Sequence, residues 1–454
     1  MASGETGRSG KGAIAAGRLA PADYARNFAD LHPPLNPHEA LVESDRCYFC
    51  YDAPCQQACP TSIDIPQFIR EINTGNPLGA AQTILNANIM GGMCARVCPV
   101  ETLCEAACVR EHAERKPVKI GLLQRHATDA LMASGRQPFT RGAATGKTVA
   151  VVGGGPAGLA CAHALAQLGH TVTVYEARAK LGGLNEYGIA AYKTVDDFAA
   201  KEVAFILGVG GIEVKLQRAL GAQLSLDRLR ASHDAVFLAL GLAGVNRLGL
   251  PQEDNSPGIK DAVQSIATLR QAQSLAELPV GRRVVVIGGG MTAIDAAVQS
   301  KRLGAQEVTL VYRRGREHMK ASHYEQELAL INGVQFVTWA VPKTLHASTR
   351  ELSGVTLEKT AQINGRLAGT GELIELKADV LLSAIGQLFV ADALAGQGIA
   401  LESGRIKVDG ERRTSVAGLW AGGDCIAGGQ DLTVSAVEDG KQAALSIDRF
   451  LRTA

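Results

Sequence analysis

The 454-residue chain has no run of about 20 apolar residues, the length a membrane-spanning helix needs; its best candidate, Ala235–Leu242, is long enough only for a strand. The opening residues, MASGETGRSGKG, are polar and small. They hold no apolar core of the kind a secretory signal carries, so a soluble, cytoplasmic protein is expected. Charge of one sign is missing too. Lys plus Arg number 46 against 45 Asp plus Glu, a formal net charge of +1. That balance argues against a general nucleic-acid binder and against a polybasic membrane-surface protein. Proline is sparse at 16 residues, whereas glycine reaches 51 and apolar residues 46%. Such a chain is globular with glycine-rich turns rather than disordered. No short-period repeat is present, which excludes solenoids, and the length implies roughly two to four domains.

Cysteine is what the chain has in one place. Of its 10 cysteines, eight lie between Cys47 and Cys108. In a large intracellular chain such density points to metal rather than disulfides. The order is Cys47-x2-Cys50-x4-Cys55-x3-Cys59-Pro60, then Cys94-x3-Cys98-Pro99, Cys104 and Cys108. Four thiolates hold one [4Fe–4S] cluster, the last Cys of a run often serves a second cluster, and Cys-Pro ends are typical. Eight cysteines therefore match two clusters in number. Two zinc sites compete, but the C-x2-C pair is not duplicated as a zinc ribbon requires. Around the cysteines, Pro66–Asn73 and Leu78–Asn86 read as short amphipathic helices, and Arg136–Gly146 reads as a linker.

After the linker the pattern changes. A buried-strand run, Lys147–Val152, leads into Gly153-Gly154-Gly155-Pro156-Ala157-Gly158. A helical stretch through Leu168 follows, then a strand, Thr171–Tyr175, ending at Glu176, 18 positions after Gly158. Gly153, Gly155 and Gly158 have the strand, helix and acidic residue that a dinucleotide fingerprint needs. The first Gly permits the turn, the second admits the pyrophosphate, and the third lets helix meet strand. Glu176 is placed to accept from an adenosine ribose. The pattern recurs 135 residues later, where Arg283–Ile287 leads into Gly288, Gly290 and Ala293, a helix through Leu303 and a strand, Glu307–Tyr312. Where the acidic residue would sit stand Arg313 and Arg314, which suit a 2′-phosphate and favour NADP on electrostatic grounds, unless they form a solvated turn. Two late segments, Asp379–Gly386 and Gly418–Asp424, each join a strand run to glycine.

The two glycine units resemble those of a flavoprotein pyridine-nucleotide reductase. The first resembles its FAD site, the second its NAD(P)H site, and Gly422-Gly423-Asp424 is similar to its C-terminal flavin motif. Ala235–Gly241 and Leu381–Gly386 resemble its crossings between domains. Hydride transfer from nicotinamide to flavin needs stacking and orientation, not a protein acid or base, so no catalytic residue is expected. A redox CxxC pair is lacking after the linker, where Cys161 and Cys425 are single. Cys161 reads as a small core residue.

From about residue 40 to 450 the order of motifs resembles the small subunit of glutamate synthase and, equally, the N-terminal half of dihydropyrimidine dehydrogenase. The segment from Thr433 to Ala443, TVSAVEDGKQA, is similar to the pyrimidine branch's T-V-x-S-V-x-D-G-K-Q-A, and Ile120–Gln124 also matches that branch. The chain stops without the family's FMN barrel. It therefore resembles the small FAD and iron–sulfur subunit of bacterial two-subunit, NAD-dependent dihydropyrimidine dehydrogenases. The resemblance implies an α/β fold, with an N-terminal α-helical domain for two [4Fe–4S] clusters followed by two Rossmann-like domains. The expected boundaries are 1–20 for a mobile N-terminus and 21–140 for the iron–sulfur domain. The FAD domain takes 141–244 and 388–454, and the inserted NAD(P)H domain 245–387.

Carried onto this chain, the resemblance assigns Cys47, Cys50, Cys55 and Cys108 to one cluster. Cys59, Cys98, Cys104 and Gln124 go to the other, with Cys94 the alternative fourth ligand. FAD contacts fall on Gly153, Gly155, Pro156, Ala157, Gly158, Leu159, Glu176, Gly182, Gly183, Leu184 and Lys193, and on Gly423, Asp424 and Thr433. Nicotinamide-nucleotide contacts fall on Gly290, Met291, Thr292, Ala293, Arg313, Arg314 and Lys320, with Ala384, Ile385 and Gly386 at the crossing. Ala190 replaces a usual Pro and Met291 a usual Asp. The implied nucleotide is NAD(P)H, with NADH favoured by the family against the two arginines. The implied activity is to pass electrons between NAD(P)H, FAD and the clusters. The implied partner is an FMN- and iron–sulfur-containing catalytic subunit, in a hetero-oligomer, that interconverts uracil or thymine with the 5,6-dihydro base in pyrimidine catabolism. The rivals are glutamate synthase, a stand-alone NAD(P)H:ferredoxin-type reductase, and a non-enzymatic docking module.

Overall fold

The computed structural model describes residues 13–254 and 256–453. The expected mobile N-terminus therefore falls outside the described residues up to residue 12. Contacts divide the chain into two compact units.

The larger unit comprises Asp30–Ile189, Lys193–Gly244 and Gln387–Ala454. Its helices follow local chemistry. Ile65–Asn73 starts where the Asp64 side chain accepts from Gln67 N, and Pro66 occupies its first turn. Its apolar residues Ile65, Phe68, Ile69 and Ile72 recur at helical spacing and are all buried, each stabilising the fold by about 1.5–3 kcal/mol. Pro77–Ala87 is capped in the same way by Asn76. A five-stranded parallel sheet carries the flavin-like half, in the order Leu419–Ala421, Ala235–Leu238, Thr148–Val152, Thr171–Tyr175, Ile212–Lys215. The central strand is apolar on both faces, as a sheet covered on both sides requires. Cysteine-region helices and sheet share one hydrophobic core, from Ala40 through Phe68, Leu123 and Val151 to Ile447. The boundary expected at residue 140 thus lies inside one unit, although 136–146 has no helix or strand.

The smaller unit comprises Met1–Ala29, Ala190–Tyr192 and Val245–Gly386. Its parallel sheet runs Gln335–Thr338, Glu307–Tyr312, Arg283–Ile287, Val380–Ser383, Ile259–Asp261. Two pieces reach it from elsewhere in the sequence. Ile14–Ala15 pairs antiparallel with Val280–Gly281, and the Asn27 and Arg302 side chains each bond the other residue's carbonyl. Residues 21–29, expected with the iron–sulfur helices, thus belong here. Of Ala190–Tyr192, Ala191 N donates to Gln299 Oε1 at 3.0 Å and the Tyr192 hydroxyl donates to Asp295 at 3.1 Å. A three-stranded antiparallel sheet, Ala340–Ala347, Leu352–Ile363 and Arg366–Lys377, completes the unit.

Candidate flavin, nicotinamide and iron–sulfur sites

In each unit the central strand ends at a glycine turn where its neighbours in the sheet diverge, the usual place for a nucleotide in an open α/β sheet. Gly153 has φ +111°, and a Cβ there would stand 2.1 Å from the carbonyl of Ala239. Only glycine fits both demands. A Cβ on Gly158 would meet the Gly153 carbonyl at 1.9 Å, so the helix Pro156–Gln167 lies tight on its turn. In front of Gly155 the nearest atom to an added Cβ is Gly183 Cα, 3.7 Å away, which leaves a cradle at the helix N-terminus where a pyrophosphate is favoured. Gly182 N donates to the Gly154 carbonyl at 2.7 Å, bringing Gly182, Gly183 and Leu184 to the same turn. The Glu176 carboxylate accepts from Gly154 N at 2.8 Å and Arg178 N at 2.7 Å. Those bonds fix it beside the turn, where its remaining lone pairs suit ribose hydroxyls.

The late residues join this site through partners not singled out in the sequence. Gly423 N donates to Asp439 at 2.9 Å, and the Thr433 hydroxyl donates to Asn185 at 2.8 Å. Burial, aided by the charges of Asp431 and Asp439, pushes Asp424 up to about 7. Lys193 is buried within the same unit. Cys161 and Cys425 are fully buried. Cys425 lies against the carbonyls of Gly422 and Leu238, and burial pushes it up to about 11, the setting of an inert thiol.

The second turn repeats the first. A Cβ on Gly288 would meet the Ala384 carbonyl at 2.3 Å, while one on Gly290 would meet nothing within 4 Å. The open space before Gly290 suits a pyrophosphate, and Met291 begins the helix Met291–Arg302 there. Thr292 follows it, and Ala293 is fully buried. Gly386 accepts from Asn246 N at 3.0 Å, and Ile385 is over a third exposed. Arg313 and Lys320 are exposed and Arg314 half-buried. Among the described residues none of these three cations has a carboxylate partner.

The cysteines fall into two groups. Cys47, Cys50, Cys55 and Cys108 line one cavity with Pro54, Ile65 and Ile69. Burial, reinforced by Cys47 and Cys108, pushes Cys55 up to about 12, so a strong cationic centre is needed to draw off its proton. Cys98 is raised by its hydrogen bond with Cys94, by burial and by nearby Cys104 and Cys59. Cys104 is raised by burial, by Glu105 and by Cys59 and Cys55. Among the described residues no three His, Cys, Asp or Glu side chains converge as a single metal ion requires. The four thiols at the first cavity match in number the thiolates that one four-iron cluster takes. Gln124 Nε2 donates to the Gly91 carbonyl at 2.7 Å, so Oε1 is the atom left to act as a ligand. Two carboxyls, the half-buried Glu105 and the buried Glu202, cap the helices that carry Gln124 and Cys94. Burial pushes Glu105 up to about 7, and it accepts from Gly121 N at 3.0 Å. Burial pushes Glu202 up to about 8, and it accepts from Met93 N at 2.9 Å.

Residues 147–440 match the pyridine nucleotide-disulphide oxidoreductase family. Residues 24–136 match dihydropyrimidine dehydrogenase domain II, 4Fe-4S cluster. The NAD-dependent dihydropyrimidine dehydrogenase subunit PreT of Escherichia coli K12 is 35% identical over 431 residues, covering 94% of this chain and 98% of that one. The glutamate synthase [NADPH] small chain of the same organism is 34% identical over 449 residues, covering 93% and 94%. In fold, the FprA oxidoreductase of Mycobacterium tuberculosis in complex with NADPH aligns with a TM-score of 0.57 at 21% identity, over 68% of this chain and 85% of that one. Thioredoxin reductase of Lactococcus lactis aligns at 0.54 and 22%, over 68% and 100%. FAD, NAD(P)H and [4Fe–4S] clusters are thus the cofactors of an NAD(P)H-dependent flavin and iron–sulfur oxidoreductase, and no described helix is long and apolar enough to cross a membrane. The chain belongs to the pyridine nucleotide-disulphide oxidoreductase family, among the iron–sulfur flavoprotein subunits that include those of NAD-dependent dihydropyrimidine dehydrogenase and glutamate synthase.

Proposed function

We propose that this chain is the electron-input subunit of a two-subunit dihydropyrimidine dehydrogenase. It takes electrons from NADH through FAD and two [4Fe–4S] clusters to a cytoplasmic partner whose FMN site interconverts uracil or thymine with the 5,6-dihydro base. The flavin, when bound, accepts a hydride and releases single electrons, which clusters can carry. The observation that supports the reading is that the flavin turn and both cysteine groups occupy one unit, and that residues beside the turn bond the segment just before Cys94. Asn185, two residues past Gly183, donates to Met90 Sδ at 3.7 Å, and Lys441 donates to the Ala87 carbonyl at 3.0 Å.

Each residue has a defined task in this reading. The amides at Gly155–Gly158 hold the FAD pyrophosphate, Glu176 its ribose, and Asp424, anchored through Gly423 and Asp439, its ribityl chain. Gly290–Ala293 hold the nicotinamide dinucleotide, and Arg313, Arg314 and Lys320 accommodate a 2′-phosphate, so that NADPH is also used. Cys47, Cys50, Cys55 and Cys108 hold one cluster, and Cys59, Cys98, Cys104 and Gln124 the other. The pyrimidine branch is favoured by the segment from Thr433 to Ala443, in which Asp439, Gly440 and Lys441 are each engaged with the flavin turn or the cysteine helices.

The test is an anaerobic affinity purification from native extract followed by NADH titration. Co-purification of an FMN and iron–sulfur subunit, with flavin bleaching and uracil-linked turnover, is expected. Recovery of a large amidotransferase chain would move the reading to glutamate synthase. A chain purified alone that reduces a small iron–sulfur carrier would make it a free-standing reductase.

A further inference from the structure

The segment 313–321, which carries Arg313, Arg314 and Lys320, is bound in place along its length. Its start is held from the antiparallel sheet. The Thr360 hydroxyl, on the strand Leu352–Ile363, donates to the Arg313 carbonyl at 2.8 Å, and Trp339 N donates to the Arg314 carbonyl at 3.2 Å. Its middle is tied to Tyr312, whose hydroxyl donates to the His318 carbonyl at 2.8 Å. Its end returns to the second glycine turn, where Ala321 N donates to the Gly289 carbonyl at 3.1 Å. The Tyr312 ring lies against that glycine, since an added Cβ would stand 2.4 Å from it. Arg316 is taken up by the Phe336 ring at 5.2 Å and by Gln326 Oε1 at 3.1 Å, which sets it apart from the other three cations. Among these anchors Thr360 is buried, at 7% exposure, beside a shift in strand register between Glu358 and Thr360. Its backbone N–H goes to the Trp339 carbonyl at 2.8 Å. Trp339 takes φ +55°, a left-handed conformation uncommon for a bulky residue. One threonine thus fixes the Arg313 carbonyl through its side chain and, through Trp339, the Arg314 carbonyl.

We propose that Thr360 is a positioning residue for nucleotide selection, its buried hydroxyl holding the 313–321 segment in the form that receives a phosphate on the adenosine 2′-oxygen. The inference deepens the reading in which Arg313, Arg314 and Lys320 accommodate that phosphate, and it rests on that reading. A guanidinium grips phosphate through donors in a fixed fork, so its gain depends on where its backbone stands. A segment that is already ordered loses less freedom on binding than one the ligand must order. A nucleotide without the 2′-phosphate makes no such demand on the segment. Loss of the Thr360 hydroxyl therefore separates the two nucleotides, whereas a merely structural role would move both alike. The antiparallel sheet, which no sequence motif marks, gains a task in this account: it backs the basic segment from behind Arg313.

The test uses the full chain as wild type, Thr360→Val, Thr360→Ser and the pair Arg313→Gln with Arg314→Gln. Calorimetry measures Kd for adenosine 2′,5′-bisphosphate and for 5′-AMP, and anaerobic reduction of an artificial electron acceptor gives KM and kcat for NADPH and NADH. Thr360→Val should weaken the bisphosphate and raise KM for NADPH by about fivefold, the scale of one lost hydrogen bond. Its Kd for 5′-AMP and its KM and kcat for NADH should stay at the wild-type values. Thr360→Ser keeps the hydroxyl and should stay near wild type throughout. Thr360→Ala carries the same expectation as Thr360→Val if the valine variant does not fold. Equal changes for both nucleotides in Thr360→Val, or no change where the arginine pair discriminates, would overturn the positioning role and leave the arginine reading standing. A bisphosphate that binds wild type no better than 5′-AMP would overturn both.

Discussion

Replacing Gly440 by alanine should disturb the flavin turn from behind. Gly440 lies on the helix Thr433–Thr453, where its backbone is compatible with any residue, so only space is at issue. An added Cβ would stand 2.1 Å from the Ala157 carbonyl oxygen and 3.0 Å from both Ala157 C and Cys161 N. Ordinary contact needs about 3.4 Å or more, so the two helices must part by roughly 1.3 Å. Overpacking of this kind costs about 1–3 kcal/mol. For a unit of this size that lowers Tm by roughly 2–12 °C, at 2–4 °C per kcal/mol. Ala157 belongs to the first turn of the helix whose amides are proposed to hold the FAD pyrophosphate, so on that reading FAD affinity should fall along with stability. Thermal unfolding and the FAD-to-protein ratio after desalting measure the two effects, and Leu445→Ala, an exposed change on the same helix, controls for the substitution itself. A Gly440→Ala protein with wild-type Tm and full FAD would refute the reasoning.

Glu202, pushed from 4.5 up to about 8 by burial, binds its proton more tightly folded than unfolded. Its contribution therefore falls as pH rises from about 4.5 to 8, by at most about 1.4 kcal/mol per pH unit. Urea unfolding of Glu202→Gln across that window should show a shallower pH slope than wild type, and equal slopes would contradict it. Arg313→Gln with Arg314→Gln should raise KM for NADPH by about tenfold or more, the scale of a lost charge-assisted contact, with a smaller effect on NADH. Parallel changes for both nucleotides would place the arginines outside the 2′-phosphate contact. Cys55→Ala should remove the first cluster's EPR signal and spare the second, whereas Gln124→Ala should do the reverse. A second-cluster signal untouched by Gln124→Ala would exclude the glutamine as a ligand. Asp439→Leu leaves Gly423 N–H and Arg412 without their acceptor and should cost about 1–3 kcal/mol together with FAD retention, both read by the same assays as Gly440→Ala.

The parts legible in the sequence are those set by neighbours along the chain. The strands Thr171–Tyr175, Arg283–Ile287 and Glu307–Tyr312 stand at their expected bounds, because apolar runs flanked by glycine signal a buried parallel strand locally. The helices Ile65–Asn73 and Pro77–Ala87 begin one residue before their expected starts, each directly after a side-chain cap, Asp64 and Asn76. What stayed hidden depends on distant partners. Nothing near Gly153 or Gly288 announces that the opposing carbonyls belong to Ala239 and Ala384. Three residues around Ala191 read as part of the FAD half, yet they contact the helix of the second glycine turn. The antiparallel sheet from Ala340 to Lys377 has neither glycine fingerprint nor cysteine to mark it. Asp439 was in plain view inside a quoted motif, but its task, holding Gly423 N–H, appears only once the chain returns to the turn.

That return has a consequence for how the protein is made. The helix Thr433–Thr453 is synthesised after every other described element, and it supplies Thr433, Asp439 and Gly440 to the flavin turn and Lys441 to the cysteine helices. The cysteines leave the ribosome some 325 residues before it does, from Cys108 to Thr433. On the proposed assignment the cysteines are thus available on a growing chain, whereas Asp439 and Gly440 reach the flavin turn only once this helix has been made. A product that ends before this helix would keep all eight clustered cysteines but lack the acceptor for Gly423 N–H and the surface packed on Ala157, so the flavin turn is the last part of this unit to be completed.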